Sequence, residues 1–243
     1  MAKYRLDQLL TARKLVASRS QAENYIRLGK VSVNGRVIDK PGYFASDTAE
    51  IKLDQDEQFV SRAALKLKSV AEKLKLDFRD KTILDIGSST GGFTEFALTR
   101  GAKKVIAVDV GTDQLHPKLR ADKRIELHEK TDIRDFTTPE EIDIVLADVS
   151  FISLREILPH AAKNLADSQT QIVAMVKPQF ETGARVKNAG VVKNDTERRR
   201  ILRDFEVWAR QYFVIKDKAD SDIRGATGNQ ERFYLLQKTN NFN

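Results

Sequence analysis

The chain has no cysteine, and that absence removes disulfides, thiolate metal sites and every mechanism that needs a thiol nucleophile. Histidine is scarce as well: His116, His128 and His160 stand at spacings that match no metal-ligand pattern, so no metal is assigned. Long apolar runs are missing. The longest, such as Ile172 to Val176, are strand-sized, whereas a bilayer-spanning helix needs about 20 mostly apolar residues. The N-terminus reads Met-Ala-Lys-Tyr-Arg with no apolar stretch behind it, so the sequence predicts no secretory signal, no stable membrane association and a cytoplasmic location. No G-x-x-x-x-G-K-[ST] phosphate loop occurs, which argues against nucleotide hydrolysis. Nothing indicates an oligomeric state.

What is present is a chain of 243 residues, room for one full α/β domain and a small appendage. Apolar residues make up 41% and charged residues 32%, enough apolar material for a core. The net charge of +7 is unevenly spread. Residues 1 to 45 carry nine Lys or Arg against Asp7, Glu23 and Asp39, while the remainder nearly cancels. A positive field concentrated in the appendage suits a polyanion.

Within the appendage, Leu6, Leu9 and Leu10 fall at helical spacing, and Ser18 and Ser20 with Gln21 and Glu23 give a capping-box pattern for a second helix starting near Ser20. Gly29 then suits a C-terminal cap. Val31-Ser-Val33, Asn34-Gly35 and Val37-Ile38 read as a hairpin around a type I′ turn. Arg19, Glu23 and Arg27 share a helix face, with Arg13, Lys14 and Lys30 nearby, so a basic surface can meet phosphates while the leucines pack inward; a solvated charged face is the rival reading. The charged stretch from Asp47 to Glu57 reads as a last strand and linker.

From residue 80 onward, short apolar runs separated by helical stretches mark βαβ units and a mainly parallel sheet. Thr82 to Leu84, Val105 to Val108, Ile142 to Ala147 and Ile172 to Val176 are the buried-strand candidates, and ligands in such sheets sit beyond the carboxyl ends of the strands. The first run leads into Asp85-Ile-Gly-Ser-Ser-Thr-Gly-Gly-Phe-Thr, a glycine loop before a helix expected near Phe93. Gly87, Ser88, Ser89, Gly91, Gly92 and Phe93 are therefore cofactor-contact candidates. Asp109 ends a second strand and can accept from a ribose diol, and Asp132 lies near the expected adenine edge. Asp85 and Asp132 could instead cap helices or turns. The loop departs from the G-x-G-x-x-G dinucleotide fingerprint, and an acid at Asp85 suits a cofactor with a cationic amino-acid end, so S-adenosylmethionine fits better than a dinucleotide.

Without cysteine, carbon-5 methylation of pyrimidines lacks its usual activator, and no Asn-Pro-Pro-Tyr-like motif serves an exocyclic amine. A hydroxyl acceptor remains, and it needs a base and an aligned approach. Lys177 directly follows the Ile172 run, Asp148 (also a cofactor-contact candidate) directly follows the Ile142 run, Lys66 precedes the first core strand, and Glu231 opens the final apolar run.

Arg5-Leu-Asp-Gln-Leu-Leu, Ala17-Ser-Arg-Ser-Gln-Ala, Ile26-Arg-Leu-Gly-Lys-Val and Val33-Asn-Gly resemble the RNA-binding module named after ribosomal small-subunit protein S-four. The chain as a whole resembles the TlyA family, often labelled hemolysin A, whose catalytic domain is similar to FtsJ-type RNA 2′-O-methyltransferases. Ser61-Arg-Ala-Ala-Leu-Lys-Leu, Asp85-Ile-Gly-Ser-Ser-Thr-Gly-Gly-Phe-Thr, Asp109-Val-Gly, Asp148-Val-Ser-Phe-Ile-Ser, Val176-Lys-Pro-Gln-Phe-Glu and Gly228-Asn-Gln-Glu carry that resemblance. It implies an α/β fold: a Rossmann-like S-adenosylmethionine-dependent methyltransferase domain over 59–243 and a small α+β RNA-binding domain with its linker over 1–58. It also implies a Lys66, Asp148, Lys177, Glu231 tetrad in which Lys177 activates a ribose hydroxyl, Asp148 orients Lys177, and Lys66 with Glu231 positions the acceptor. The implied substrate is cytidine ribose in ribosomal RNA of the small subunit, the large subunit or both, with ribosomal RNA or ribosomal subunits as partner. Family members carry a glycine pair where this chain has Ala63-Ala64, which predicts relaxed backbone geometry there. Arg5, Arg62 and Arg185 join the RNA-contact candidates, with Lys187, Lys193 and Arg198 to Arg200 as further cations near the active edge. Two other readings stand beside this one: a membrane-active hemolysin and a noncatalytic ribosome-binding protein.

Overall fold

Ser18, one of the two caps the sequence offered, caps the second helix of the basic appendage by accepting the Gln21 N–H at 3.2 Å, and the helix begins at Arg19, one residue before the expected Ser20. The structure, a computed structural model, describes residues 3–16, 18–54, 59–182, 191–192 and 194–239, and the chain divides into units 1–58 and 59–243.

The first unit runs β1 (Lys3–Arg5), α1 (Leu6–Ala12), α2 (Arg19–Arg27), β2 (Val31–Val33), β3 (Arg36–Ile38), β4 (Phe44–Ser46) and β5 (Ile51–Leu53). Gly29, at φ 69°, ends α2: its N–H donates to Ile26 O and that of Lys30 to Tyr25 O, a Schellman pair. Asn34 and Gly35, at φ 50° and 79°, turn β2 into β3, and β5 adds to the other side of β2. The apolar spacing missed the β1–β4 ladder, because three-residue strands are too short to show a period. Leu6, Leu10, Ala22, Ile26 and Val31 form a closed core, and Asp7, fully buried beside it, accepts from both Arg5 and Arg19.

The second unit runs α3 (Arg62–Ala71), β6 (Thr82–Ile86), α4 (Gly92–Thr99), β7 (Lys104–Val108), α5 (Pro117–Arg120), β8 (Ile125–His128), β9 (Ile144–Ala147), α6 (Leu154–Asn164), β10 (Gln171–Val176), α7 (Asp195–Ala209), β11 (Phe213–Asp220) and β12 (Arg232–Lys238). The sheet order is β11-β12-β10-β9-β6-β7-β8, with β12 antiparallel to both its neighbours. Alternate strand residues face opposite ways. Leu84, Ile106, Val145 and Ile172 pack against α6 and α7 through Leu158 and Phe205, while Ile83, Val105, Leu146 and Val173 pack against α3 and α4 through Leu67 and Phe96. The result is a helix–sheet–helix sandwich. β6 lies between β7 and β9, so the chain reverses its direction of winding there, and a crevice opens beyond the carboxyl ends of β6 and β9.

Candidate active site

Asp85 is the penultimate residue of β6, opposite Ala107 and Leu146, so it lies inside the strand rather than beyond it as the apolar run implied. Its side chain is fully buried; Oδ2 accepts the Thr94 hydroxyl at 2.6 Å, and Oδ1 has no hydrogen-bond partner among the described residues. Burial pushes its carboxyl up to about 7 from an ordinary 3.8, opposed by the Thr94 hydrogen bond and reinforced by the nearby charges of Asp148 and Asp109.

Two glycines decide how the loop after β6 sits. Gly87 takes φ 78°, and a Cβ there would lie 2.7 Å from the Asp148 carbonyl oxygen, so only a glycine lets β6 and β9 converge at this point. Gly92 brings the start of α4 against the start of α3: an added Cβ would meet Ser61 Oγ at 2.2 Å, Ala63 Cβ at 2.8 Å and the Ala64 nitrogen at 2.9 Å. The close approach of the two helices at Ala63-Ala64 is admitted by the glycine on the facing helix. Gly91, at φ 91°, is the N-cap of α4. Ser61 and Ser88 each hold a buried hydroxyl without a hydrogen-bond partner among the described residues, facing the same small cavity as Asp85. Ser61 was not singled out from the sequence. Phe93 lines that cavity while its ring packs 5.9 Å from Phe233.

A larger cavity of about 500 Å³ adjoins, lined by Gly87, Ser89, Asp109, Asp132, Val149 and Ile152 among others. Asp109 follows β7 and accepts the N–H groups of Ser89 at 2.8 Å and Gly111 at 2.7 Å. Asp132 is already engaged: it accepts from the Arg134 side chain at 2.6 and 3.0 Å and from its N–H at 2.9 Å, capping the 3₁₀ turn Ile133–Asp135. Arg134 holds its carboxyl down at about 2. That is the capping alternative, realised at the cavity wall. Unfilled acceptors and hydroxyls around Asp85 suit an ammonium and carboxylate, and the apolar wall of Val149 and Ile152 with Asp109 suits a nucleoside, so the residues present fit S-adenosylmethionine.

Beside the small cavity stand two ion pairs. Lys177 Nζ lies 2.6 Å from Asp148 Oδ1 and donates to Ser150 Oγ at 2.8 Å; Lys66 Nζ lies 2.6 Å from Glu231 Oε2. All four ionic side chains are at most 15% exposed. Burial raises the Glu231 carboxyl, opposed by Lys66, and it also feels the charges of Asp148 and Lys177, so the pairs share one electrostatic field. Ser150 was missed although its motif was legible, because a serine two residues past an acid has no distinctive spacing.

The candidate RNA contacts divide. Arg5 and Arg19 clasp Asp7, Arg13 donates to the Ala49 and Asp47 carbonyls, and Lys30 pairs with Asp54. The side chains of Lys14 and Arg27 make no ion pair or hydrogen bond among the described residues. Arg62 donates to the Arg224 carbonyl at 2.9 Å, bracing the loop that leads to Glu231. Arg198 likewise serves the fold, bonding the Gln230 carbonyl and Asp220. Arg185, Lys187 and Lys193 lie outside the described residues.

Residues 59–238 match the model of the FtsJ-like methyltransferase family. The chain belongs to that family. Residues 5–51 of this FtsJ-like methyltransferase match the S4 domain. It is 44% identical over 195 residues to the 23S rRNA (cytidine-2′-O)-methyltransferase TlyA of Campylobacter jejuni, covering 79% of this chain and 76% of that one. It is 40% identical over 242 residues to the 16S/23S rRNA (cytidine-2′-O)-methyltransferase TlyA of Mycobacterium tuberculosis, covering 96% and 89%. A solved structure named as a hemolysin, from Streptococcus thermophilus, superposes with a TM-score of 0.73 at 39% identity, covering 99% of this chain and 90% of that one. Among the described residues no helix is long and apolar enough to cross a membrane.

Proposed function

We propose that this chain methylates the 2′-hydroxyl of cytidine in ribosomal RNA, with 59–243 as the catalytic domain and 1–58 as an RNA-gripping domain and linker. Its setting is the cytoplasm, on ribosomal subunits. The observation that carries the reading is the pairing of Lys177 with Asp148 and of Lys66 with Glu231 beside a cavity whose buried Asp85 has an unfilled oxygen.

S-adenosylmethionine supplies an electrophilic methyl group on its sulfonium. Asp85 and the Ser61 and Ser88 hydroxyls would hold its amino-acid end, and Asp109 its ribose. Lys177 Nζ, once its own proton has passed to solvent, takes the proton of the acceptor hydroxyl as the oxygen lone pair forms the new O–C bond and the methyl's C–S bond breaks, leaving a neutral thioether. Asp148 orients that amine and stabilises the ammonium that results. Lys66, held by Glu231, would fix the approach of the acceptor. Ser150 gives Lys177 a second fixed partner.

The test is transfer of labelled methyl from S-adenosylmethionine to ribosomal subunits lacking the modification, followed by nucleoside mass spectrometry. Appearance of 2′-O-methylcytidine is the expected result. Tight binding of subunits without transfer would instead establish the noncatalytic ribosome-binding reading, and release of dye from liposomes without transfer the hemolysin reading.

A further inference from the structure

The loop after β9 carries Asp148 and Ser150, and the loop after β10 carries Lys177; each is only a few residues long before the chain enters a helix or a 3₁₀ turn. The 3₁₀ turn Pro178–Phe180 ends at Glu181, which lies four residues beyond Lys177. Glu181 is buried with its side chain 1% exposed, yet it lines neither of the two cavities. Instead its Oε2 accepts the Ser153 hydroxyl at 2.6 Å and its Oε1 accepts the Leu154 N–H at 2.8 Å, with Arg155 Nε 3.6 Å away. Ser153 is itself the N-cap of α6, accepting the Arg155 N–H at 3.1 Å.

Ser153 and Leu154 are the far end of the loop that begins at Asp148. Glu181 is the far end of the segment that begins at Lys177. The two segments thus touch at both ends, through the Lys177 contacts to Asp148 and Ser150 and through the Glu181 contacts to Ser153 and Leu154, and between them the Phe151 and Phe180 rings meet with centroids 5.3 Å apart. Phe151 holds the left-handed conformation, φ 67°, and is 91% exposed, so its own burial does not fix the loop. Resting on the reading of Lys177 as the base, we propose that Glu181 is a positioning residue: it clamps the Lys177 segment to the Asp148–Ser150 loop and so sets where the lysine amine stands.

Burial raises the Glu181 carboxyl from its ordinary value, with the Ser153 and Leu154 hydrogen bonds and the nearby Arg155 opposing, so placing a carboxyl here carries a desolvation penalty. Ser153 satisfies the Arg155 N–H at the start of α6 and Glu181 the Leu154 N–H, so the carboxyl ties the helix start, as well as Ser153, to the Lys177 segment. A penalty retained at a joint between two reactive loops serves geometry.

The experiment compares Glu181→Ala, Glu181→Gln, Ser153→Ala and Lys177→Ala in the full chain, each assayed well below its melting temperature, for kcat at saturating substrates and for S-adenosylmethionine Kd by calorimetry. Glu181→Ala lowers kcat about 10- to 100-fold, the scale of a small misplacement, with Kd within about twofold. Glu181→Gln, which retains an acceptor for Leu154 and can still bond Ser153, restores kcat to within about threefold of the wild type. If Glu181→Ala does not fold, Ser153→Ala, which removes one of the two bonds, lowers kcat by about threefold or more. Unchanged kcat per folded molecule in Glu181→Ala, or in Ser153→Ala where the former fails to fold, with Lys177→Ala inactive, overturns the clamp and leaves the base assignment standing. Full activity in Lys177→Ala overturns the base assignment and the clamp's purpose with it.

Discussion

Lys177 Nζ stands 2.6 Å from Asp148 Oδ1, and the two residues directly follow the adjacent parallel strands β10 and β9, whose register places Ala174 opposite Ala147. The ladder therefore fixes the relative height of the amine and the carboxylate, and short-range loop conformation only has to finish the approach. An amine placed this way, and proposed above as the base, is preorganised by the rigid part of the fold.

Asp85 gives the apo protein a pH-dependent weakness. Its folded-state value of about 7 is above the ordinary 3.8, so its favourable contribution is complete below about pH 4 and is lost as pH rises through 7, a swing of about 4 kcal/mol. Urea unfolding of wild type and Asp85→Asn at pH 5, 6, 7 and 8 checks this. The variant gains on the wild type up to about pH 7 and then holds its lead, while its S-adenosylmethionine affinity falls; parallel curves would refute the burial argument.

Gly87→Ala should damage more than stability. Its Cβ would meet the Asp148 carbonyl oxygen at 2.7 Å, pushing the β9 end that carries the carboxylate, whereas Gly228, also at positive φ (96°), has nothing within 4 Å. Gly228→Ala then shows only backbone strain of about 1 kcal/mol. Thermal melts and kcat measured together separate the two: Gly87→Ala loses stability and at least about tenfold in kcat, and equal behaviour of the two variants would contradict the close-approach account.

In the N-terminal unit, the arginines that face Asp7 and the free cations should behave differently. Arg5, ahead of burial, and Arg19 hold the Asp7 carboxyl down at about 2, so this contribution is present above about pH 4 and lost as pH falls toward 2; it amounts to about 1 to 2 kcal/mol after screening at the exposed arginines. Arg19→Ala leaves a buried carboxylate with one partner fewer and lowers the melting temperature. Lys14→Ala and Arg27→Ala keep stability within about 0.5 kcal/mol but weaken RNA binding and lower the salt slope by about 0.7 to 0.9 each. Fluorescence anisotropy across a salt series reads the slope, and an unchanged slope would remove those two residues from the phosphate-contact set.

Much of this was legible beforehand, for identifiable reasons. The turn at Asn34-Gly35, the cap at Gly29 and the central strands carry local signals of positive φ or continuous apolar runs, and the structure has them within two residues. The tetrad was legible only by resemblance, since Lys66 and Glu231 are 165 positions apart and no local pattern joins them. What stayed hidden depends on tertiary partners: the clasp of Asp7 by Arg5 and Arg19, the Arg134 grip on Asp132, and the buried Ser61 hydroxyl beside Gly92. A charged residue's sequence position does not reveal whether its counterion is inside the chain.

The account turns most on Lys177, and the direct measurement is single-turnover methyl transfer to ribosomal RNA by wild type and Lys177→Ala, with S-adenosylmethionine binding measured on the same preparations. The account predicts equal cofactor and RNA binding, a lowered melting temperature because the largely buried Asp148 carboxylate loses its counterion, and, at a temperature where the variant is folded, transfer slowed by about 10² to 10⁴, the range of a lost general base. Transfer at the wild-type rate by a folded, cofactor-bound Lys177→Ala protein would contradict it.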